Sequence, residues 1–118
     1  MSRLCGLDHA LEWICGGVQK SAGQAFKIDL IDGVVESNNL VEAGKRIIQR
    51  ISDGELDYKK AVERKIKPII LKKNEYTMSI ETTKGFILGV TKGQYPAPMA
   101  AIEAMAKGCY LPREEAIA

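Results

Sequence analysis

The chain has 118 residues, of which 46% are hydrophobic and 27% charged, a balance typical of one globular domain rather than of a disordered chain. Its net charge of +2 is too small to indicate nucleic acid or a membrane surface as a partner. The three cysteines are an odd number without a C-x-x-C pair, which argues against a disulfide framework and a zinc site. Reduced thiols fit a cytoplasmic location, and no apolar run approaches the roughly 18 residues of a membrane span.

The first predicted helix begins at Asp8, a residue type favoured as an N-cap, and ends at Gly16-Gly17. Its apolar positions recur at helical spacing: Leu7, Leu11, Ile14 and Val18. A second, short helix begins at Ser21, because Ser21-Ala22-Gly23-Gln24 fits the capping-box pattern. A turn over 29–33 follows, and Val34-Val35 is a candidate for a brief extended segment.

Ser37 is expected to cap the clearest amphipathic helix of the chain, which Asp53-Gly54 ends. The apolar stripe of this helix consists of Leu40, Gly44, Ile47, Ile48 and Ile51. The residues that lie off the stripe are polar or charged: Glu42, Lys45, Arg46 and Gln49. This helix therefore has one face suited to burial and one suited to water.

Residues 55–72 are predicted to form a basic connector, since six lysines and arginines are offset by few acids and Pro68 blocks a regular helix through it. The connector is either a solvated linker or a surface that attracts a polyanion, such as the phosphates of a nucleotide-bearing thioester. A helix is expected from near Asn74 to about Thr91. Its many β-branched residues leave a strand at 86–90 as the competing interpretation.

Tyr95-Pro96-Ala97-Pro98 predicts the start of another helix, with Gly108 as its C-cap. Its apolar stripe is Met99, Ile102, Met105 and Ala106. A last helix begins after Pro112 but stops within a few residues, too short to be stable alone, so we expect the chain to be a fragment of a longer protein. The expected fold is mostly α, with five or so helices and at most one minor extended segment.

Catalytic and metal-binding motifs do not stand out in the sequence. His9, the sole histidine, has no evident partner nearby and is expected to face solvent, while Cys15 is expected to be a small core residue rather than a nucleophile. Lys84 and Lys92 flank a glycine-containing helix end, where lysines could meet phosphates. Tyr95, held before a proline, is the aromatic residue most expected to reach beyond its own helix.

Two stretches of the chain resemble one enzyme family. Residues 6–14 (GLDHALEWI) and 21–35 (SAGQAFKIDLIDGVV) resemble the late part of a crotonase-type enoyl-CoA hydratase. The second half resembles the linker region of the multifunctional alpha subunit of bacterial fatty-acid β-oxidation complexes, most specifically in the KGQYPAP segment at 92–98. Further matching segments are Lys84-Gly85, Ala101-Ile102-Glu103-Ala104 and Arg113-Glu114-Glu115-Ala116.

This resemblance implies a parent enzyme of lipid metabolism that joins an enoyl-CoA hydratase/isomerase domain to an NAD-dependent 3-hydroxyacyl-CoA dehydrogenase domain, with a thiolase beta subunit as a partner. Residues 1–54 would be the helical end of the hydratase domain, 55–72 the basic connector, and 73–118 linker helices toward the dehydrogenase. No residue matches the family's catalytic motifs. The chain alone is therefore expected to be inactive and to hold no cofactor, CoA thioester and NAD being implied for the intact enzyme.

The resemblance also suggests how the chain would contribute to that enzyme. It would close the acyl-CoA pocket, with Lys84, Lys92 and Tyr95 as the expected contacts to CoA phosphates or to the pocket. Without the upstream hydratase strands, we expect the apolar stripes to be buried by self-association or to form a loose bundle. The alternative function is a stand-alone helical interaction or self-association module derived from such an enzyme.

Overall fold

The computed structural model describes residues 1–117, which form helices joined by turns, with no strand among them. The helices are α1 (Ser2–Cys5), α2 (Leu7–Gly16), α3 (Ala22–Lys27), α4 (Leu40–Ser52), α5 (Tyr58–Ile66), α6 (Lys73–Thr91), α7 (Pro96–Gly108) and α8 (Arg113–Ile117), and a 3-10 turn at Ser37–Asn39 precedes α4. The predicted mostly α fold is confirmed. The extended segment allowed at Val34-Val35 does not form, because no neighbouring strand among the described residues pairs with it.

The core lies where α2, α6 and α7 meet, and these three helices are called the packed unit below. Leu11 of α2 and Ile102 of α7 are fully buried. The buried cluster comprises Leu7, Leu11, Cys15, Ile80, Ile87, Ile102 and Cys109. Full burial of one such aliphatic side chain contributes about 1.5–3 kcal/mol. The apolar stripe predicted for α7 is therefore covered by helices of the same chain.

The N-cap of α2 lies two residues before the predicted one, whereas the end of the helix agrees. Gly6, at a φ of 85° that favours glycine, separates α1 from α2 and serves as the N-cap in place of Asp8. The Asp8 carboxylate instead lies in the first helical turn, where the helix dipole favours it. Gly17, with a left-handed φ of 63°, ends the helix as predicted.

The capping box predicted at Ser21 is confirmed. The Gln24 N–H donates to the Ser21 hydroxyl at 3.3 Å, and the Ser21 N–H donates to the Gln24 side-chain oxygen at 2.8 Å. Two backbone donors that α3 cannot satisfy internally are thereby paired.

No regular helix runs through 55–72, as predicted from Pro68, but a shorter helix that the sequence analysis did not predict, α5, occupies the middle of this segment. Asp57 caps this helix by accepting a hydrogen bond from the Lys59 N–H at 3.1 Å. The helix ends at Ile66, two residues before Pro68, so the proline limits the helix rather than preventing it.

The helix predicted from near Asn74 to about Thr91 is confirmed as α6, which runs unbroken from Lys73 to Thr91, so the competing strand at 86–90 does not form. Ile80 and Ile87 are seven residues apart and share a helical face, so burying both favours the helix over the β preference of the branched residues. The Thr91 hydroxyl donates to the Ile87 carbonyl at 2.8 Å, which satisfies a polar group within the helix.

At the end of α7, Gly108 is the last helical residue, and Cys109 follows as the C-cap with right-handed backbone angles.

Two arginines attach α1 and α5 to the rest of the molecule. The Arg3 guanidinium donates to the carbonyls of Ile66 and Leu111, each at 2.8 Å, and to two more carbonyls at 3.2 and 3.4 Å. Arg64 donates to the Leu4 carbonyl at 2.8 Å. The planar fork of arginine, with five N–H donors, suits such multiple bonding.

Residues 33–57, called the arm, carry α4 and contain no buried residue. Leu40, Val41 and Ile48 expose 65%, 68% and 69% of their surface. The molecule measures 51 × 31 × 25 Å with a radius of gyration of 16.9 Å, well above the roughly 13.5 Å of a compact chain of this length.

The cap predicted for α4 differs in the structure. Ser37 opens the 3-10 turn rather than capping α4, and Asn39 takes the N-cap position without a side-chain hydrogen bond.

Candidate functional site

The three residues predicted to contact CoA lie in α6 and in the turn that follows it. Lys84, in α6, forms an ion pair with Glu81 at 3.0 Å, and its side chain is 32% exposed. Lys92 ends α6 with a left-handed φ of 50°, and its N–H donates to the Leu88 carbonyl at 2.8 Å. Tyr95 is the N-cap of α7 and is 65% exposed.

These positions make Lys92 and Tyr95 near neighbours and leave Lys84 apart. Lys92 and Tyr95 belong to the same short turn between α6 and α7. Lys84 precedes Lys92 by eight residues, which is about 12 Å along a helix axis. The exposed turn is thus the part of this predicted set that is free to contact a ligand, and its contact with CoA stays a prediction.

A groove of about 720 Å³ runs between α2 and α6. Its floor includes Leu11 and Ile87, which are buried in the core, while Val18, Met78 and Phe86 line it with 50%, 70% and 63% of their surface exposed. Grooves of this size and apolar character are typical of binding sites for apolar groups. Exposed apolar surface of this kind is common at interaction sites.

The residues along the groove carry negative charge: Asp8, Glu12 and Glu75 line it, without any lysine or arginine among its lining residues. The ammonium of Lys20 donates to the Glu12 carboxylate at 2.9 Å, and this bond lowers the pKa of Glu12. Glu12 is therefore ionised at neutral pH. The groove combines an apolar floor with an acidic rim.

His9 lies on this rim as well, although sequence reasoning found no partner for it. Its Nδ1 is 3.9 Å from the Glu12 carboxylate, too far for a hydrogen bond, and both side chains are about half exposed. Glu12 already accepts the stronger bond from Lys20. The expected solvent-facing position of His9 is confirmed, and the pair lacks the buried, hydrogen-bonded geometry of an acid–base couple.

Sequence reasoning missed the α6 wall of the groove. Its residues follow helical spacing: Glu75, Met78, Ser79, Thr82, Thr83 and Phe86. Because polar residues interrupt this face, hydrophobic periodicity does not mark it. One signal in the sequence could have indicated this wall. Met78 and Phe86 are bulky apolar residues eight positions apart, a spacing that puts them on the same side of a helix, and both are exposed.

The three cysteines are free and buried. Burial raises the pKa of the Cys5, Cys15 and Cys109 thiols, so they are protonated at neutral pH and are weak nucleophiles. The prediction that Cys15 is a core residue is confirmed. These thiols contribute to packing rather than to covalent chemistry.

The basic surface predicted for 55–72 lies on α5 and beside it. Lys59, Lys60 and Lys65 are exposed and make no ion pair within residues 1–117. Lys67 is paired with Glu63 at 2.7 Å. Three unpaired ammonium groups on one short helix are consistent with a polyanion contact and also with a solvated surface.

No protein-family model matches the chain. Across residues 1–117, no group of three or more histidine, cysteine or acidic side chains is arranged to hold a metal ion. Within the same residues, no helix is long and apolar enough to cross a membrane. The surfaces that the structure offers are an apolar groove with an acidic rim, an exposed apolar helix and a basic helix, all of which are suited to binding.

Proposed function

We propose that this chain is a non-catalytic helical segment of a fatty-acid β-oxidation enzyme, where it packs against an enoyl-CoA hydratase core and links it to a 3-hydroxyacyl-CoA dehydrogenase domain. The observation that carries the proposal is the uncovered apolar stripe of α4. The resemblance of 21–35 to the late part of a crotonase-type hydratase and of 92–98 to a β-oxidation linker supplies the family. A cytoplasmic location and a thiolase beta subunit as a partner belong to the same proposal.

The α4 stripe supports this proposal through its energetics. Ile47 exposes 43% and Ile48 69% of its surface, and Leu40 exposes 65%. Full burial of an exposed aliphatic side chain contributes about 1.5–3 kcal/mol, and each of these side chains would gain the share that corresponds to its exposed surface. A strongly amphipathic helix keeps one stable orientation when another surface covers its apolar side. The hydratase core is the partner proposed to supply that surface.

The turn between α6 and α7 would then contribute to the acyl-CoA pocket. Lys92 is exposed and makes no ion pair within residues 1–117, so its charge is available to a CoA phosphate. Lys84 would first have to release Glu81. We therefore propose that Lys92 contributes more than Lys84 to contact with the phosphates, and that Tyr95 packs beside the same ligand.

Complementation tests this function. A crotonase-type hydratase truncated before its C-terminal helices is mixed with the purified chain, and the hydration of crotonyl-CoA is measured. We expect the mixture to recover activity, the chain alone to have none, and Ile48→Asp to abolish recovery. Ile70→Asp is the matched control, because Ile70 is 97% exposed and lies outside α4. A mixture without activity contradicts the proposal, and turnover by the chain alone contradicts its non-catalytic part.

A second candidate function, self-association as a stand-alone module, is favoured by a separate observation. The chain carries both an exposed apolar helix in the arm and an apolar groove on the packed unit. Light scattering coupled to size-exclusion chromatography measures this directly. A monomer at all concentrations, with a cooperative thermal transition, would exclude this function.

A further inference from the structure

We propose that residues 59–73, called the basic segment below, attach the chain to the surface of a membrane that contains anionic lipids. The proposal rests on the local charge of this segment, on a cleft that opens beside α5 and on one almost fully exposed isoleucine. It does not depend on the enzyme family proposed above, since it uses only residues of this chain. Such attachment needs no spanning helix, and none of the described helices could cross a membrane.

The basic segment carries a charge that the composition of the whole chain conceals. It contains seven of the 17 lysines and arginines but one of the 15 acids, so its charge is +6, whereas the remaining residues sum to −4. Five of its cations are exposed lysines without an ion pair within residues 1–117: Lys59, Lys60, Lys65, Lys72 and Lys73. Basic clusters of this size attract anionic lipid surfaces, and each cation near the surface adds to the attraction.

A cleft between α1 and α5 collects part of this charge. Its volume is about 580 Å³, and its charged lining residues are Arg3, Lys60, Arg64, Lys67 and Glu63. The Glu63 carboxylate is paired with the Lys67 ammonium at 2.7 Å. Four cations and one acid leave the lining of the cleft with a net charge of +3.

The two arginines of the cleft are held in place without losing their charge. The Arg3 guanidinium donates to the Ile66 carbonyl and the Arg64 guanidinium to the Leu4 carbonyl, each at 2.8 Å. Neither arginine forms an ion pair within residues 1–117. Because a carbonyl is neutral, these bonds fix the arginines and leave their charge uncompensated. The cleft is therefore a preformed positive seat for a phosphate group of a lipid.

Ile70 lines the same cleft and supplies an apolar contact. It is 97% exposed, and it follows Pro68 and Ile69, which line the cleft as well. Lys67 and Lys72 precede and follow these residues in the chain. At a lipid surface, an apolar side chain enters the acyl boundary while neighbouring lysines keep their ammonium groups at the level of the phosphates. Ile70 between lysines matches this layered chemistry.

The same features favour a lipid surface over nucleic acid. Proteins that bind single-stranded nucleic acid combine a basic groove with aromatic side chains on which the bases stack. The basic segment has no aromatic residue between 59 and 73. Nucleic acid also offers no apolar layer that could receive Ile70. A lipid surface is therefore the polyanion that accounts for both the charge and the exposed isoleucine.

Co-sedimentation of the full chain with vesicles tests the proposal. Vesicles of phosphatidylcholine with about 30% phosphatidylglycerol supply the anionic headgroups, and vesicles of phosphatidylcholine alone are the neutral comparison. We expect binding to the anionic vesicles and at least about tenfold weaker binding to the neutral ones. Binding to the anionic vesicles should also weaken at least about tenfold in about 0.5 M salt, where the charges are screened.

Two variants of the cleft locate the contact. Lys60→Gln/Lys67→Gln should weaken binding to the anionic vesicles about 10- to 30-fold, because two cations near the lipid phosphates are lost. Ile70→Asp should weaken it at least about tenfold, because a carboxylate replaces the side chain that enters the apolar layer. All three residues are exposed, so circular dichroism should report unchanged helicity.

The arm provides matched controls. Lys45→Gln/Arg46→Gln removes the same charge and likewise combines a lysine paired with a glutamate and a cation without an ion pair within residues 1–117. Ile48→Asp makes the substitution of Ile70→Asp at another exposed isoleucine. Both controls lie on α4, outside the cleft, and should leave the affinity within about twofold of wild type, because attraction beyond about 10 Å is screened.

Each other outcome overturns the proposal. Equal binding to the two kinds of vesicle would show that charge does not drive attachment. Binding that Ile48→Asp abolishes and Lys60→Gln/Lys67→Gln leaves intact would assign attachment to α4. A chain that binds a single-stranded oligonucleotide in fluorescence anisotropy, but neither kind of vesicle, would assign the basic segment to nucleic acid. Complementation of the truncated hydratase is measured without vesicles, so either proposal can fail while the other stands.

Discussion

The arm and the packed unit contain helices of similar amphipathic design with opposite outcomes. The apolar stripe of α7 is covered by α2 and α6, and Ile102 at its centre is fully buried. The apolar stripe of α4 is more regular, yet none of its residues is buried, and Leu40 and Ile48 on it are 65% and 69% exposed. The comparison teaches that amphipathic spacing predicts which face of a helix will be covered, but not whether the covering surface belongs to the same chain.

Different interactions hold the two regions. In the arm, ion pairs between neighbours along the chain support α4, such as Lys45–Glu42 at 2.8 Å and Arg50–Glu55 at 3.2 Å. Exposed pairs of this kind contribute only a few tenths of a kcal/mol each. The packed unit is held by buried aliphatic side chains. We therefore expect the arm to open locally at a much lower free energy than the packed unit.

The largest expected effect comes from truncating matched isoleucines in the two regions. Ile102→Ala should lower the free energy of unfolding by about 2–5 kcal/mol, because it removes buried atoms and leaves a cavity. Ile48→Ala should change it by less than about 0.5 kcal/mol at protein concentrations below association. Urea unfolding followed by circular dichroism measures both, and equal losses would contradict the division into two regions.

The next effect concerns Arg3, whose guanidinium bonds four backbone carbonyls at the junction of α1, α5 and α7. Arg3→Lys keeps the charge but loses the planar fork, so we expect a loss of about 1–3 kcal/mol in unfolding free energy. Arg50→Lys in the arm is the matched control and should cost less than about 0.5 kcal/mol. Thermal unfolding gives both values. A loss no larger for Arg3→Lys than for Arg50→Lys would show that the carbonyl contacts contribute little.

A smaller effect is expected from a single hydroxyl within the packed unit. The Tyr76 hydroxyl donates to the Ala106 carbonyl at 3.1 Å and joins α6 to α7. Tyr76→Phe should cost about 1 kcal/mol, since it leaves that carbonyl without its partner. Tyr58→Phe, at a residue 53% exposed in α5, should cost almost nothing. Chemical denaturation compares the two, and an unchanged midpoint for Tyr76→Phe would rule out a stabilising role for this bond.

The smallest expected effect is a pH dependence at Glu12. The hydrogen bond from Lys20 lowers the pKa of Glu12 in the folded chain, so its stabilising contribution is present at neutral pH and is lost as pH falls below about 4.3, through the lowered folded value. Because Glu12 is 55% exposed, solvent screening limits the contribution to a few tenths of a kcal/mol. The stability difference between wild type and Glu12→Gln should therefore shrink from pH 7 to pH 3. A difference that grows over this range would contradict the sign of the pKa shift.

Local signals in the sequence predicted most helix ends near where they occur. The capping box at Ser21, the left-handed Gly17 and the proline start of α7 are properties of a few adjacent residues, so no long-range information was needed. Pro68 acted as predicted, since no helix passes through it, but α5, with its own cap in Asp57, was not predicted before the proline. The choice between helix and strand at 86–90 was left open by local signals. The β-branched residues of α6 were overruled by the shared buried face of Ile80 and Ile87.

The candidate site was predicted less completely. Lys92 and Tyr95 are close in sequence, so their common turn followed from the chain itself, whereas the groove joins α2 to residues about 60 to 80 positions away in α6. The bonds of Arg3 to carbonyls near Ile66 and Leu111 are equally non-local and have no sequence signature.

The sequence by itself determined the helical character of the chain, the apolar and charged sides of α4 and the absence of a recognisable catalytic motif, because spacing, capping and residue type act over one or two helical turns. Only the tertiary structure decided which apolar stripe is covered. Burial depends on where distant helices meet: α2, α6 and α7 meet around Leu11 and Ile102, and α4 meets no such surface among the described residues.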